Sequence, residues 1–109
     1  MKEITQAALC EEMERRFGPD PKRWAFVCPA CGDVACPQDF LDAGADPGRA
    51  GQECIGRWLG VLKLDQPPGG YQGRGCDWAA YGLIRGPVLV VMPDGRKVPS
   101  FWIAPGGGA

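Results

Sequence analysis

One pair of cysteines constrains this 109-residue chain more than any other feature. It sits in the run Cys28-Pro29-Ala30-Cys31-Gly32. Two intervening residues let both thiolates reach one ion, and glycine after the second cysteine relieves crowding where the chain turns. The run reads as the loop of a zinc knuckle. A thioredoxin-like dithiol has the same C-x-x-C spacing but requires a flanking βαβ pattern, and none is evident. The N-terminus Met1-Lys2-Glu3-Ile4 lacks a secretory profile, and no stretch approaches the roughly 18 apolar residues of a membrane span. The expectation is therefore a cytoplasmic protein whose thiols stay reduced and serve a metal, not a disulfide framework.

Two ligands do not close a tetrahedron, and the chain contains no histidine to complete it. The remaining ligands must come from Cys10, Cys36, Cys54 and Cys76, with carboxylates the only substitutes. Cys10 shares a helical face with Leu9, Met13 and Phe17 and reads as core. Cys54 begins Cys54-Ile55-Gly56-Arg57, half of a knuckle pattern. Cys76 follows Gly73-Arg74-Gly75, where glycines free the backbone to bend inward. Cys36 lies close after Cys31 and precedes Pro37, a crowded alternative. The predicted ligand set is Cys28, Cys31, Cys54 and Cys76, with zinc as the cofactor. Its spacing departs from the paired knuckles of a regular zinc ribbon, with 22 residues between Cys31 and Cys54 and 21 between Cys54 and Cys76. Four thiolates leave no open coordination position, which describes a structural site and not a catalytic one. Metal binding of this kind is folding free energy, on the order of 10–16 kcal/mol in small zinc domains. A chain with 17 glycines and 11 prolines has need of it.

The pattern around the cysteines predicts a small α+β domain spanning 1–104, stapled by zinc, with a flexible tail at 105–109. Thr5 caps an N-terminal helix that Gly18-Pro19 stops. Asp20-Pro21-Lys22-Arg23 is a turn, and Trp24–Val27 a strand that delivers Cys28. Pro37–Ala43 is a short helix ended by Gly44. Asp46-Pro47-Gly48 is a turn, after which the chain runs extended into Cys54. Residues 65–75 read as a mobile loop. Val88–Met92 and Lys97–Ile103, joined through Asp94-Gly95, form an antiparallel hairpin. Pro99 confines the second strand to an edge or bulge, and Ala79–Ile84 supplies a third strand.

The absent histidine also excludes every Ser-His-Asp or Cys-His mechanism. A nucleophilic Cys10 or Cys36 would have only carboxylates as bases, so the chain is expected not to be an enzyme. Charge is segregated instead: one arginine faces five carboxylates over 28–56, and six cations face three carboxylates over 57–109. The plain reading of these charges is solvated surface; the sharper one puts Arg57, Arg74, Arg85, Arg96 and Lys97 near the metal on one face, with Trp58, Tyr71 and Trp78 interleaved. Arginine beside aromatics suits stacked bases and phosphates, and equally the hot spots of protein interfaces. Asp33, Asp39, Asp42 and Asp46 suit a phosphate mimic directed at a basic protein. Asp77 and Arg57 flank the ligands and are expected to steady the thiolates.

Taken in order, Arg16-Phe17-Gly18, Trp24-x-Phe26, Cys28-Pro29-x-Cys31-Gly32, Cys54-Ile55-Gly56-Arg57, Gly75-Cys76-Asp77-Trp78 and Gly82-Leu83 make a specific combination. With the Asp-Gly hairpin that follows, it resembles an uncharacterised family of small phage- and prophage-encoded, cysteine-rich, zinc-ribbon-like proteins. The likeness covers about residues 12 to 104. It implies mobile-element origin and action in a bacterial host cytoplasm. It also places Cys28, Cys31, Cys54 and Cys76 in recurring motifs, with Cys10 and Cys36 outside them. The function expected is a non-enzymatic binding module for a host or phage protein or nucleoprotein complex, such as an inhibitor of a CRISPR-type defence. The alternative is a nucleic-acid-binding zinc-ribbon protein of phage replication, transcription or packaging.

Overall fold

A computed structural model describes residues 2–81 and 86–105. Eleven short elements build two three-stranded sheets with helices between and around them, an α+β architecture. The N-terminal helix α1 spans Gln6–Phe17, and the Thr5 hydroxyl accepts from the Ala8 N–H at 3.2 Å as expected of its cap. Gly18 ends α1 with a positive φ, its N–H returning to the Glu14 carbonyl. Of the predicted apolar face only Met13 is fully buried, while Leu9, Cys10 and Phe17 are half-buried.

The first sheet has the order β1-β4-β5, with β1 at Lys2–Thr5, β4 at Val88–Val91 and β5 at Lys97–Ser100. The β4–β5 hairpin turns through Asp94-Gly95, where Gly95 adopts φ +90° and the Asp94 carboxylate accepts from the Arg96 N–H. Pro99 lies on β5, the sheet edge, where its missing N–H costs no ladder bond. The third strand is not the one expected. It is β1, paired parallel to β4 from Lys2↔Val88 to Thr5↔Val91. Parallel neighbours need a long crossover, here most of the chain, so no local pattern announces the pairing. Ala79 instead forms an isolated bridge with Glu53, and the end of the predicted strand, residues 82–84, lies outside the described residues. The predicted tail lies outside them as well, apart from Pro105.

The second sheet is antiparallel in the order β3-β2-β6, from Val34–Ala35, Phe26–Val27 and Trp102–Ile103. The run expected as one strand over 97–103 is therefore broken at Phe101 and shared between the sheets. The strand expected from Trp24 begins only at Phe26, because the Trp24 indole turns back to donate to the Gly18 carbonyl at 2.9 Å. Helix α2 covers Pro37–Asp42. The path to Cys54 is coiled rather than extended: Pro47–Arg49 is a 3-10 turn, and the Gln52 and Glu53 N–H groups both return to the Arg49 carbonyl. Helix α3, Gly56–Leu59, follows Cys54 directly. Ala35, Phe40, Ala45, Ala50 and Ile55 pack into one buried cluster, and Cys28, Cys54, Ala80 and Phe101 into another, with Phe26 lying against both.

Candidate metal centre

The second cluster is where the chemistry gathers. The β2–β3 hairpin presents Cys28 and Cys31 from its connecting loop. The Cys28 N–H donates to the Asp33 carbonyl and the Gly32 N–H to the Cys28 carbonyl, both at 2.9 Å. Gly32 takes φ +79°, the left-handed conformation the knuckle turn requires. Cys54 arrives on a second segment held against a third: its N–H donates to the Trp78 carbonyl at 3.0 Å, and the Ala80 N–H to the Gln52 carbonyl at 2.7 Å. Cys76 lies on that third segment.

The four sulfurs, of Cys28, Cys31, Cys54 and Cys76, all lie within 4.8 Å of one another. Two opposite edges of the arrangement measure 3.7 Å (Cys28–Cys76) and 3.6 Å (Cys31–Cys54). A tetrahedron with metal–sulfur bonds of about 2.3 Å has edges of about 3.8 Å, so the cage fits a thiolate-bound ion such as zinc. Backbone donors aim at the sulfurs: the Cys76 N–H points at Cys54 Sγ at 3.1 Å and the Trp78 N–H at Cys76 Sγ at 3.4 Å. Burial pushes the Cys76 thiol well above its ordinary pKa, opposed by the Trp78 N–H and reinforced by the neighbouring sulfurs. Sulfurs so placed become thiolates when a cation supplies the compensating charge.

Two glycines explain how three segments come this close. A Cβ at Gly56 would stand 2.5 Å from the Cys76 nitrogen, and one at Gly75 would stand 2.6 Å from the Gly56 nitrogen and 3.0 Å from Cys54 Sγ. The glycines of the Cys54-Ile55-Gly56-Arg57 and Gly75-Cys76-Asp77-Trp78 motifs thus touch each other across the site. Arg57 adds a clasp, donating from Nη1 to the Asp77 carbonyl at 2.7 Å. The Asp77 side chain itself points to solvent, so its part in steadying the site is played by its backbone. Trp78 and Phe101 close one wall, ring centroids 5.6 Å apart. The crevice lined by Phe26, Cys28, Cys54 and Phe101 has no room for a water molecule. A cleft of about 610 Å³ opens elsewhere, between Phe17, Arg23, Ala35 and Cys36.

Cys36 and Cys10 stay outside the cage. Cys36 is the N-cap of α2, its N–H donating to the Asp39 carboxylate at 2.9 Å, and Cys10 lies half-buried on α1. The other residues singled out from sequence are spread over several places. Arg74 forks onto the Asp33 carboxylate at 3.1 and 2.8 Å, reaches the Val34 carbonyl at 2.7 Å and stands 3.6 Å from Asp39. These carboxylates, Asp33 first, raise its pKa further. The Tyr71 hydroxyl donates to the Arg74 carbonyl at 2.7 Å, and Gln66 donates to the carbonyls of Gly60, Val61 and Lys63. The expected loop over 65–75 is therefore irregular but pinned at several points. Asp42 accepts from Gln38, and Asp46 caps the turn at Gly48.

The described cations of the expected basic face each meet a partner of their own. Arg96 pairs with Asp94 in the hairpin turn and Lys97 with Glu3 of β1, whereas Arg57 and Arg74 brace the cage. Arg85 lies outside the described residues. Arg96 finds its carboxylate two residues away, whereas the partners of Lys97 and Arg74 come from distant parts of the chain, which charge counts along a sequence do not reveal.

One residue that sequence reading passed over is Glu53, only 3% exposed. Its carboxylate accepts from Trp58 Nε1 and Arg49 Nη1, each at 2.9 Å, and from the Tyr81 hydroxyl. The bond to Glu53, ahead of burial, raises the Tyr81 phenol above 10. Its neighbour Cys54 was the only available signal, since a glutamate in an acidic stretch reads as surface.

The model of the VVA0879-like family matches residues 5–104, which include all four cage cysteines. The chain belongs to that family. No curated protein and no solved structure matches the chain. For this VVA0879-like chain the shared ground is thus the sequence family itself, and the cage is read from its own geometry. No helix among the described residues is long and apolar enough to cross a membrane.

Proposed function

We propose that the four-cysteine cage holds zinc as a structural ion, and that the domain acts as a non-enzymatic binding module on a protein or nucleoprotein complex. Closure of the cage carries the reading. Four sulfurs at tetrahedral separations leave no open position, and the adjoining crevice excludes water. Zinc, when bound, supplies the charge that holds four thiolates together. The chain contributes the knuckle turn at Gly32, the glycine contact between the Cys54 and Cys76 segments and the N–H groups aimed at sulfur. The setting we infer is a phage or prophage protein in a bacterial cytoplasm, with inhibition of a defence system such as CRISPR as the form of action. That setting rests on the resemblance of the motifs, and the inhibitory form on small size and the acidic stretch over Asp33–Asp46. Nucleic-acid binding draws support from Arg57, whose guanidinium meets a carbonyl and not a carboxylate, beside the exposed Trp58.

Metal analysis of the purified protein should return one zinc per chain. Cys54→Ser and Cys76→Ser should abolish it, while Cys36→Ser retains it. A fully folded, metal-free chain would overturn the proposal. Binding to single- and double-stranded DNA at two salt concentrations decides the second reading, which fails if no affinity is seen even at low salt.

A further inference from the structure

The four cage sulfurs are not equivalent. Cys28 and Cys54 are each 2% exposed and Cys76 is half-buried, whereas Cys31, in the β2–β3 loop, is exposed. The crevice lined by Phe26, Cys28, Cys54 and Phe101 has no room for a water molecule, so nothing the size of a peroxide reaches the cage from that side. Backbone donors divide the sulfurs further. The N–H groups of Cys76 and Trp78 point at the sulfurs of Cys54 and Cys76, and among the described residues none points at Cys31. An N–H donor stabilises a thiolate and lowers its nucleophilicity. The exposed sulfur is left without that damping.

A second sulfur lies beside the exposed one. Cys54 Sγ is 3.6 Å from Cys31 Sγ, while Cys28 and Cys76 face each other at 3.7 Å across the opposite edge. An accessible sulfur next to a resolving thiol is the arrangement in which oxidation is captured as a disulfide. A bond between Cys31 and Cys54 would tie the knuckle loop to the segment that opens α3. It would leave only Cys28 and Cys76 to hold an ion that takes four ligands.

We propose that the cage is a peroxide-sensitive modification site, opened at Cys31 and resolved by Cys54. The Cys31 sulfur attacks one oxygen of the peroxide; the O–O bond breaks, the other oxygen leaves as hydroxide, and a sulfenic acid forms. The Cys54 sulfur then attacks Cys31 Sγ, forming the S–S bond and expelling a second hydroxide. Two protons turn both hydroxides to water. Two thiolates are oxidised, one peroxide is reduced, and the ion is released from the two sulfurs that remain. A bulky disulfide reagent lacks this route, because thiol exchange depends on access along its S–S axis, whereas a peroxide presents two oxygens only. The proposal rests on the reading of the cage as a zinc site and adds a chemistry to what is otherwise a closed structural centre.

The test uses the zinc-loaded Cys10→Ser/Cys36→Ser protein, in which every remaining thiol belongs to the cage. Hydrogen peroxide should release zinc to a chromophoric indicator. Peptide mapping should find Cys31–Cys54 as the first disulfide, with Cys28–Cys76 joined only later. A reductant with added zinc should restore the starting metal content. Cys31→His in the same background keeps a coordinating side chain, since three cysteines and a histidine also close a structural zinc site. It should slow the release on the order of tenfold, because the accessible sulfur is gone. If that variant takes up no zinc, the mapping in its parent decides alone. Zinc retained under peroxide, or a first disulfide that lacks Cys31 or Cys54, would overturn the proposal and leave the zinc reading intact. A chain that takes up no zinc before peroxide is added would overturn that reading and the release with it.

Discussion

Replacing Gly56 by alanine separates what local propensity favours from what the assembled site permits. Gly56 opens α3, and alanine is the better helix former by about 0.8–1.0 kcal/mol in a helix interior. By that criterion Gly56→Ala stabilises. The structure predicts the opposite sign. The new methyl would sit 2.5 Å from the Cys76 nitrogen and 2.7 Å from its carbonyl oxygen, against the 3.0 Å below which Cβ contacts essentially never fall. Both obstacles are backbone, so the segments bearing Cys54 and Cys76 must part by half an ångström or more. Metal–ligand distances tolerate only about 0.2 Å. Overpacking of this kind costs roughly 1–3 kcal/mol, which corresponds to metal affinity weakened about 5- to 150-fold. Competition with a chromophoric chelator measures the loss, and the absorption spectrum of the cobalt(II)-substituted protein reports the distorted tetrahedron. Gly95→Ala is the control: its φ of +90° makes alanine strained, but nothing lies within 4 Å. It should lower stability by roughly 1–2 kcal/mol with an unchanged cobalt spectrum. Wild-type affinity and spectrum in Gly56→Ala, or a raised Tm, would refute the account of how the cage is closed.

Thiol counting offers a second check. In the zinc-loaded protein only Cys10 and Cys36 should react with a disulfide reagent, and a strong chelator should raise the count from two to six. Alkaline titration tests the Glu53 network. The Tyr81 phenol is raised above 10, so its contribution to stability is complete below pH 10 and is lost as pH climbs through the folded value. Tyrosinate absorbance should therefore appear at higher pH in the folded chain than in the unfolded one, and Tyr81→Phe should remove that component. Arg74→Lys should behave like Arg74→Ala in thermal unfolding, each losing on the order of 1 kcal/mol, because an ammonium cannot reproduce the fork onto Asp33. Full rescue by lysine would show that charge alone matters there.

Much of the site was legible before any fold was known, for reasons that are local. C-x-x-C spacing with a following glycine is set by the geometry of one turn around one ion, and a chain lacking histidine has few other ligands. Glycines next to Cys54 and Cys76 marked places where backbone must bend or approach closely, and Gly56 and Gly75 do touch across the cage. The Thr5 cap, the Asp94-Gly95 hairpin and the stop at Gly44 are likewise decided within a few residues.

Tertiary structure alone decided the rest. That β1 lies parallel to β4 depends on a pairing across more than eighty residues, which no period in Lys2–Thr5 encodes. Arg74 became a brace for the knuckle, and Lys97 a partner for β1, because folding brought carboxylates to them. Glu53 reads as surface in the sequence and is buried in the fold, where Arg49 and Trp58 fold back onto it and Tyr81 reaches it from a distant segment. Ligand type and turn chemistry are properties of short stretches of chain. Which charges are neutralised, and which aromatic faces stay open, is fixed only when distant segments meet.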